Sequence, residues 1–149
     1  MISKAVFVPG RVGSTHTLFI TISAAGDTHG GTALLLSCNV DGTACNPGTG
    51  GDGGAPAGWI NVLKMPAIGL TDSGADTLTT NCGDGGGGSG DCHDNGIYYT
   101  WCKNVTSGLH TVEVRFASKD GSNLVFIEAA HFYVDVAKLP IGGGCIADP

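Results

Sequence analysis

The feature that most constrains this fold is a period-2 alternation of apolar and polar residues, clearest in Gly108–Lys138. Such alternation is typical of half-buried β-strands. A second run, Leu124–Ala137, has its expected bulge at Glu128–Ala130. The Asp120-Gly121 step between the runs tolerates positive φ, so we predict a β-hairpin. The side chains expected to fill the core are Val112, Val114, Phe116, Phe132, Val134 and Val136.

The rest of the chain repeats this pattern in shorter pieces between turn residues. The predicted strands are Ile2–Val8, Thr15–Ser23, Thr32–Val40, Trp59–Lys64 and Ile97–Cys102, with shorter ones at Ala67–Leu70 and Thr77–Thr80. Ala24–Asp27 and Lys103–Gly108 are expected to end strands. About seven to nine short strands without a helix predict an all-β chain, an antiparallel β-sandwich or jelly roll.

The length of 149 residues predicts one main domain. The N-terminal run Ile2–Val8 is closed by Pro9-Gly10, so residues 1–10 form a separable strand and residues 11–149 the sandwich. Within the run, Ile2, Ala5, Val6, Phe7 and Val8 are suited to donation to a neighbouring molecule. The alternative is an ordinary edge strand.

Six cysteines without a CxxC pair predict disulfides rather than a zinc site. They are Cys38, Cys45, Cys82, Cys92, Cys102 and Cys145. Cys38 and Cys45 flank a turn that begins at Asp41-Gly42 and are placed to form a local disulfide, while Cys82 and Cys92 enclose a glycine-rich segment whose ends a disulfide would tie together. Cys145 either pins the C-terminal tail to the body or bonds another subunit. Disulfides predict a secreted, extracellular protein.

Two glycine-rich segments, Asn46–Gly58 and Asn81–Asn95, are predicted to be long loops. Calcium is an alternative role for the acidic residues in and near such loops. These are Asp41, Asp52, Asp72, Asp76, Asp84, Asp91 and Asp94. Their spacing does not match an EF-hand, so we expect solvated loops and no metal.

Charge and hydropathy exclude several partners. The net charge of −6, with scattered Lys and Arg, argues against nucleic acid. The apolar runs are of strand length, so no membrane partner is expected. The sequence Asn104-Val105-Thr106 predicts N-glycosylation at Asn104. The first residues lack a signal-peptide core, so we expect the given chain to begin after signal removal.

Catalytic signatures are weak. No Gly-x-Ser-x-Gly elbow occurs, and His16 and His110 lie within predicted strands, where histidine is more often structural. Cys92-His93-Asp94 is an alternative metal or hydrolytic cluster, but adjacent ligands rarely converge on one ion. We predict that the protein is not an enzyme and needs no cofactor.

Aromatic residues offer a second class of function, because aromatic faces beside Asp and Asn are suited to stacking on sugars. The candidates are Trp59, Tyr98, Tyr99, Trp101 and Tyr133, near the loop that holds Asp91, Asp94 and Asn95. Filling of the sandwich core by Trp59 and Trp101 is the competing interpretation.

The segment Gly108–Arg115, with the closing strand His131–Val134, resembles the C-terminal strands of secreted jelly-roll domains of the tumour-necrosis-factor and C1q-like kind. The match covers about a fifth of the chain, and the resemblance implies a jelly-roll fold. The glycine loops and six cysteines depart from that family, so its trimeric state is not carried over. The overall composition is similar to extracellular fibre proteins of the byssal-thread type.

Taken together, these features favour a structural subunit of an extracellular fibre, self-associating into a polymer by strand donation from residues 2–8. Low charge, disulfides and many glycines suit a durable polymer. The alternative is a secreted glycan-binding module.

Overall fold

The computed structural model describes residues 1–28, 33–46, 58–64, 92–119, 121, 125–138 and 145. These residues form eight β-strands and no helix, and so no helix among them could span a membrane. The strands are β1 (Ile2–Val8), β2 (Thr15–Thr28), β3 (Ala33–Val40), β4 (Thr43–Ala44), β5 (Ile60–Lys64), β6 (Cys92–Thr106), β7 (Gly108–Ser118) and β8 (Val125–Lys138).

The strands form two antiparallel sheets, which confirms the predicted all-β, sandwich-like class. In the first sheet, β7 lies between β1 and β3, and the far side of β3 pairs with both β4 and β5. In the second sheet, β2 lies between β6 and β8. The jelly-roll detail stays a prediction.

The core lies between the sheets, because strands of both sheets contribute apolar side chains to one cluster. β2 contributes Leu18, Ile20 and Ile22, all fully buried. Further members are Val6, Val8, Leu34, Leu36, Cys38, Val40, Ile60, Ile97, Trp101, Val112 and Val114. Burial of such side chains stabilises the fold by about 1.5–3 kcal/mol each.

The turn between β3 and β4 has the conformation that its Asp41-Gly42 sequence predicts. Asp41 and Gly42 have φ of 49° and 77°, which a two-residue hairpin loop of the Asp-Gly kind requires. The predicted Cys38–Cys45 disulfide closes across this turn. Next to it, Asn46 exchanges two backbone hydrogen bonds with Cys102 of β6, which ties the two sheets together.

The predicted hairpin between Gly108 and Lys138 is wrong, because its two strands belong to different sheets. Both edges of β7 are already paired, with β1 and β3, so β8 pairs with β2 instead. Val112 and Val114 are buried as predicted, and Phe132 and Val134 are partly buried against the core. Phe116 and Val136, at 37% and 38% exposure, contribute less than expected.

The predicted bulge in β8 is confirmed. Ala129 has a φ of 47°, and the pairing of β8 with β2 shifts between Ser23 and Ala25. An extra residue on one strand produces such a shift and bends that strand.

Two strands are longer than predicted. β2 continues through Ala24–Asp27, where Gly26 leaves room for the side chains of Ile97 and Leu34. β6 runs from Cys92 to Thr106, because residues 103–106 continue the ladder with β2. It therefore takes in the end of the loop predicted at 81–95. The strands predicted at 67–70 and 77–80 lie outside the described residues.

Replacing Ile20 with Ala should lower the free energy of unfolding by about 2–5 kcal/mol, because the side chain is fully buried and leaves a cavity. Tyr98→Ala is the control, since Tyr98 is 75% exposed and should cost less than about 1 kcal/mol. Urea unfolding of both variants measures the difference. Equal losses would show that the face of β2 bearing Ile20 does not form the core.

Candidate assembly site

The N-terminal strand occupies one edge of the first sheet. β1 pairs antiparallel with β7 of the same chain over seven residue pairs, from Ile2 opposite Val114 to Val8 opposite Gly108. The observed strand has the bounds predicted from sequence. No other described strand pairs with its outer edge.

β1 has two different faces. Val6 and Val8 are buried in the core, and Ile2 packs against it. Phe7 is 69% exposed and Ala5 is exposed, so the opposite face is in solvent. A single edge strand therefore closes part of the core, although it hydrogen-bonds to one neighbour only.

A short linker carries the chain from β1 to β2. The carbonyl of Arg11 accepts hydrogen bonds from the Ser14 backbone N–H (2.9 Å), the Ser14 hydroxyl (2.8 Å) and the Ser107 hydroxyl (2.6 Å). The Ser107 N–H donates in turn to the Ser14 carbonyl at 2.9 Å. The Arg11–Ser14 turn is thereby fixed to the segment between β6 and β7.

Gly10 precedes this turn with a φ of 155°. A Cβ at this position would collide with Ser14 Oγ and would lie 2.7 Å from His16 Nε2. A glycine is therefore required where β1 enters the turn. The Ser14 hydroxyl donates to Arg11, so the 3.1 Å contact between Ser14 Oγ and His16 Nε2 is a bond from the histidine to the serine. That direction is opposite to the one a general base needs.

A charged pair anchors the same end of β7 to the β3–β4 turn. His110 Nδ1 lies 2.6 Å from Asp41 Oδ2, and His110 Nε2 lies 2.7 Å from the Thr106 carbonyl. Asp41 also accepts from the Thr111 N–H at 2.8 Å. With an acceptor at each ring nitrogen, His110 is suited to the imidazolium form. Its structural role agrees with the expectation for a strand histidine.

These contacts shift both pKa values. The hydrogen bond to Asp41 raises the pKa of His110 above its ordinary 6.5, outweighing the opposing effect of burial. The pKa of Asp41 lies below its ordinary 3.8, first because of the Thr111 N–H and then because of His110. The pair joins β7 to β3 at the end where β1 enters its linker.

Other predicted residues lie away from this edge. In the structure Cys145 forms a disulfide with Cys102 of β6, which is the first of the two alternatives given for this cysteine. The exposed Asn104 accepts from Thr17 Oγ1 at 3.1 Å and from the Cys145 N–H at 3.3 Å. Cys82 and the side chain of Cys92 lie outside the described residues, so their pairing stays a prediction. Asp52, Asp72, Asp76, Asp84 and Asp91 also lie outside the described residues, and nothing is described of the side chains of His93, Asp94 and Asn95 within β6.

The aromatic candidates separate into core and surface. Trp101 is buried, and Tyr99 packs on it with ring centroids 4.8 Å apart. Tyr98 and Tyr133 are 75% and 52% exposed on the outer face of the second sheet, on opposite sides of β2. Tyr133 stacks with His131 at 6.2 Å. Trp59 is half-buried. Among the described side chains no group of three or more His, Cys, Asp or Glu could hold a metal.

Sequence reasoning missed the partners of the two histidines. Asp41 matches a turn signal and Thr106 belongs to a sequon, and neither pattern links the residue to His110. The turn signal at Asp41-Gly42 was present in the sequence, but its distance of 69 residues from His110 concealed the contact. No local pattern could have placed Arg11 beside Ser107.

Asp41→Asn should destabilise the protein more at pH 5 than at pH 8. The raised pKa of His110 means that its contribution is complete below about pH 6.5 and is lost as the pH rises through the raised value. The contribution of Asp41 is present above about pH 3.8 and is lost as the pH falls through its lowered pKa. The pair therefore stabilises the fold most between about pH 3.8 and about pH 6.5. Urea unfolding against pH measures it.

Glu113→Gln is the matched control, because Glu113 pairs with Arg115 on the surface of the same strand. Its effect should be small and should not follow the titration of His110. An NMR titration should also show the pKa of His110 falling in Asp41→Asn. A His110 pKa that is unchanged in the variant would contradict the pairing.

Comparisons with protein-family models, with curated proteins and with solved structures found no match to this chain.

Proposed function

We propose that this protein is a structural subunit of an extracellular filament, in which β1 of one molecule pairs with β7 of the next. The observation that carries the proposal is the position of β1. It is a sheet-edge strand that fills the core with Val6 and Val8 but is joined to the body by a short linker. Such a strand can be supplied equally well by a neighbour.

Exchange is favoured because it conserves contacts. A donated β1 would form the same seven residue pairs with β7 and bury the same two valines. The free energies of the closed and donated forms then differ mainly by the linker's conformation and by the entropy of association. Their balance therefore depends on concentration.

The linker supports a hinge at Pro9-Gly10. The carbonyl of Arg11 is held by Ser14 and Ser107, so the turn stays with the body when β1 leaves. The division between residues 10 and 11 predicted from sequence falls at this point. An opened β1 extends from one molecule and leaves its own β7 edge vacant, which gives a head-to-tail contact. Repetition without closure yields a filament.

The disulfides suit an extracellular location. Cys38–Cys45 and Cys102–Cys145 each close a loop of the described fold, and such bonds persist in oxidising surroundings. The second disulfide also fixes Cys145 to β6, which belongs to the sheet that does not contain β1. Secretion is part of the proposal.

Cross-linking between two different single variants tests the donation. Ala5 lies opposite Thr111, whose N–H and C=O point to Asp41 and away from β1. The two residues therefore form a non-hydrogen-bonded pair with a Cα separation of about 4.5 Å, within the range of a disulfide. Mixed Ala5→Cys and Thr111→Cys chains should form a disulfide between these positions under assembly conditions, identified by mass spectrometry.

The matched control mixes Ala5→Cys with Tyr98→Cys, because Tyr98 is exposed on the other sheet and reports random collision. Deleting Met1–Pro9 should abolish filaments seen by electron microscopy. In the Ala5→Cys/Thr111→Cys double variant, filaments whose introduced disulfide lies entirely within each chain would contradict donation. So would normal filaments from the deleted chain.

The exposed tyrosines favour a second candidate, glycan binding on the outer face of the second sheet. Tyr98 and Tyr133 lie on the two strands that flank β2. The spacing between strands and the rise per residue give a distance of about 12 Å between the two tyrosines. The hydroxyl groups of Thr21 and Thr100, which lie between the two tyrosines, form a 2.9 Å hydrogen bond. Asp135 is exposed on the same face. Aromatic rings with hydroxyl and carboxylate groups suit a sugar surface.

If glycans bind here, Tyr98→Ala and Tyr133→Ala should each weaken the affinity about two- to tenfold through lost ring contact. A glycan array with and without calcium, followed by calorimetry on a binding glycan, measures this. Leu109→Ala is the control, because Leu109 is equally exposed on the first sheet. Absence of saturable binding by the monomer would exclude this candidate.

A further inference from the structure

A cleft of ≈ 460 Å³ opens where the linker between β1 and β2 crosses the end of β8. It is lined by Gly10, Arg11, Ser14, His16 and Lys138. We propose that this cleft binds a sulfate or phosphate group, either free or as an ester on a small sugar. The proposal does not depend on filament formation.

The charge of the lining residues points to an anion. Arg11 and Lys138 are two of the seven Lys and Arg residues in a chain of net charge −6, and none of the five lining residues is acidic. The ion pairs among the described residues are His110–Asp41 and Arg115–Glu113, so neither cleft cation is neutralised there. Two cations without an acidic partner among the described residues, placed in a concave site, concentrate positive potential locally.

The strand register keeps these groups together. His16 lies directly opposite Lys138 in the pairing of β2 with β8, and Ser14 stands one residue before β2. The turn that carries Arg11 is fixed by its bonds to Ser14 and Ser107. The main-chain positions of the lining residues are therefore set before a ligand arrives, which lowers the entropic cost of binding.

Ser14 and His16 give the cleft a fixed polar lining beside Gly10. His16 is buried, and its Nε2 meets Ser14 Oγ at 3.1 Å. Gly10 allows the backbone to approach these two atoms closely, because a Cβ at this position would overlap Ser14 Oγ and would lie 2.7 Å from His16 Nε2. The guanidinium and the ammonium can donate to the several oxygens of one tetrahedral oxyanion, whereas the Ser14 hydroxyl and the His16 Nε2–H already donate within the protein.

The volume of the cleft and its two cations limit the size and charge of the ligand. The volume of the cleft is more than ten times the volume that one molecule occupies in liquid water, about 30 Å³. The oxyanion can therefore carry a substituent of sugar size. A polyphosphate backbone needs a longer row of cations than Arg11 and Lys138 provide. The geometry therefore favours one sulfate or phosphate monoester over nucleic acid.

Titration of the ¹⁵N-labelled protein with sodium sulfate at pH 7 and constant ionic strength tests the site. We expect saturable shifts of the Gly10, Ser14 and His16 amides, with a Kd on the order of 1 mM. Arg11→Gln and Lys138→Gln should each weaken binding about fivefold. Lys4→Gln removes the same charge from an exposed position on β1 and should change Kd less than about twofold.

Glucose 6-sulfate and glucose distinguish the sources of the anion. Tighter binding of the sulfate ester than of sulfate supports an esterified sugar as ligand, whereas equal binding supports recognition of the oxyanion alone. Glucose should not bind. The proposal is overturned if sulfate shifts do not saturate by about 50 mM. It is also overturned if Lys4→Gln weakens binding as much as the two cleft variants do.

Discussion

The pairing of β7 on both of its edges is the constraint on which the structure depends. β3 covers one edge and β1 the other, so β7 is the central strand of the first sheet only while the N-terminal strand is in place. Removing β1 would expose a row of unpaired backbone groups beside the space left by Val6 and Val8. Because that loss is costly, the β7 edge requires a partner strand, which the chain itself supplies in this structure and a neighbour would supply in the proposed filament.

The contacts around β7 differ in whether they involve β1. His110 joins Asp41, and Asn46 joins Cys102, so the inner strands are held to each other by contacts distant in sequence. The Cys102–Cys145 disulfide adds a covalent link. By contrast, the first anchored residue after β1 is Arg11, through its carbonyl. The described contacts that join the inner strands therefore do not involve β1, as the proposed assembly by exchange requires.

Local pattern predicted the strands well and their partners poorly. The bounds of β1, the Asp41-Gly42 turn and the β8 bulge each depend on a few adjacent residues, so the sequence contains them. The hairpin expected between Gly108 and Lys138 failed because alternation shows that a strand has an inner face but not which sheet it joins. The cleft residues Arg11 and Lys138 lie at the two ends of the chain, and only the pairing of β2 with β8 brings them together.

The location of Asn104 bears on the choice between the two proposed functions. Its side chain lies on the outer face of the second sheet, in the same alternation along β6 as Tyr98. Sugar attached at Asn104 would project from the face that glycan binding needs and would leave the β1 edge of the first sheet open. Glycosylation would thus favour assembly, because it crowds one surface with solvated sugar and leaves the other available for a neighbouring strand.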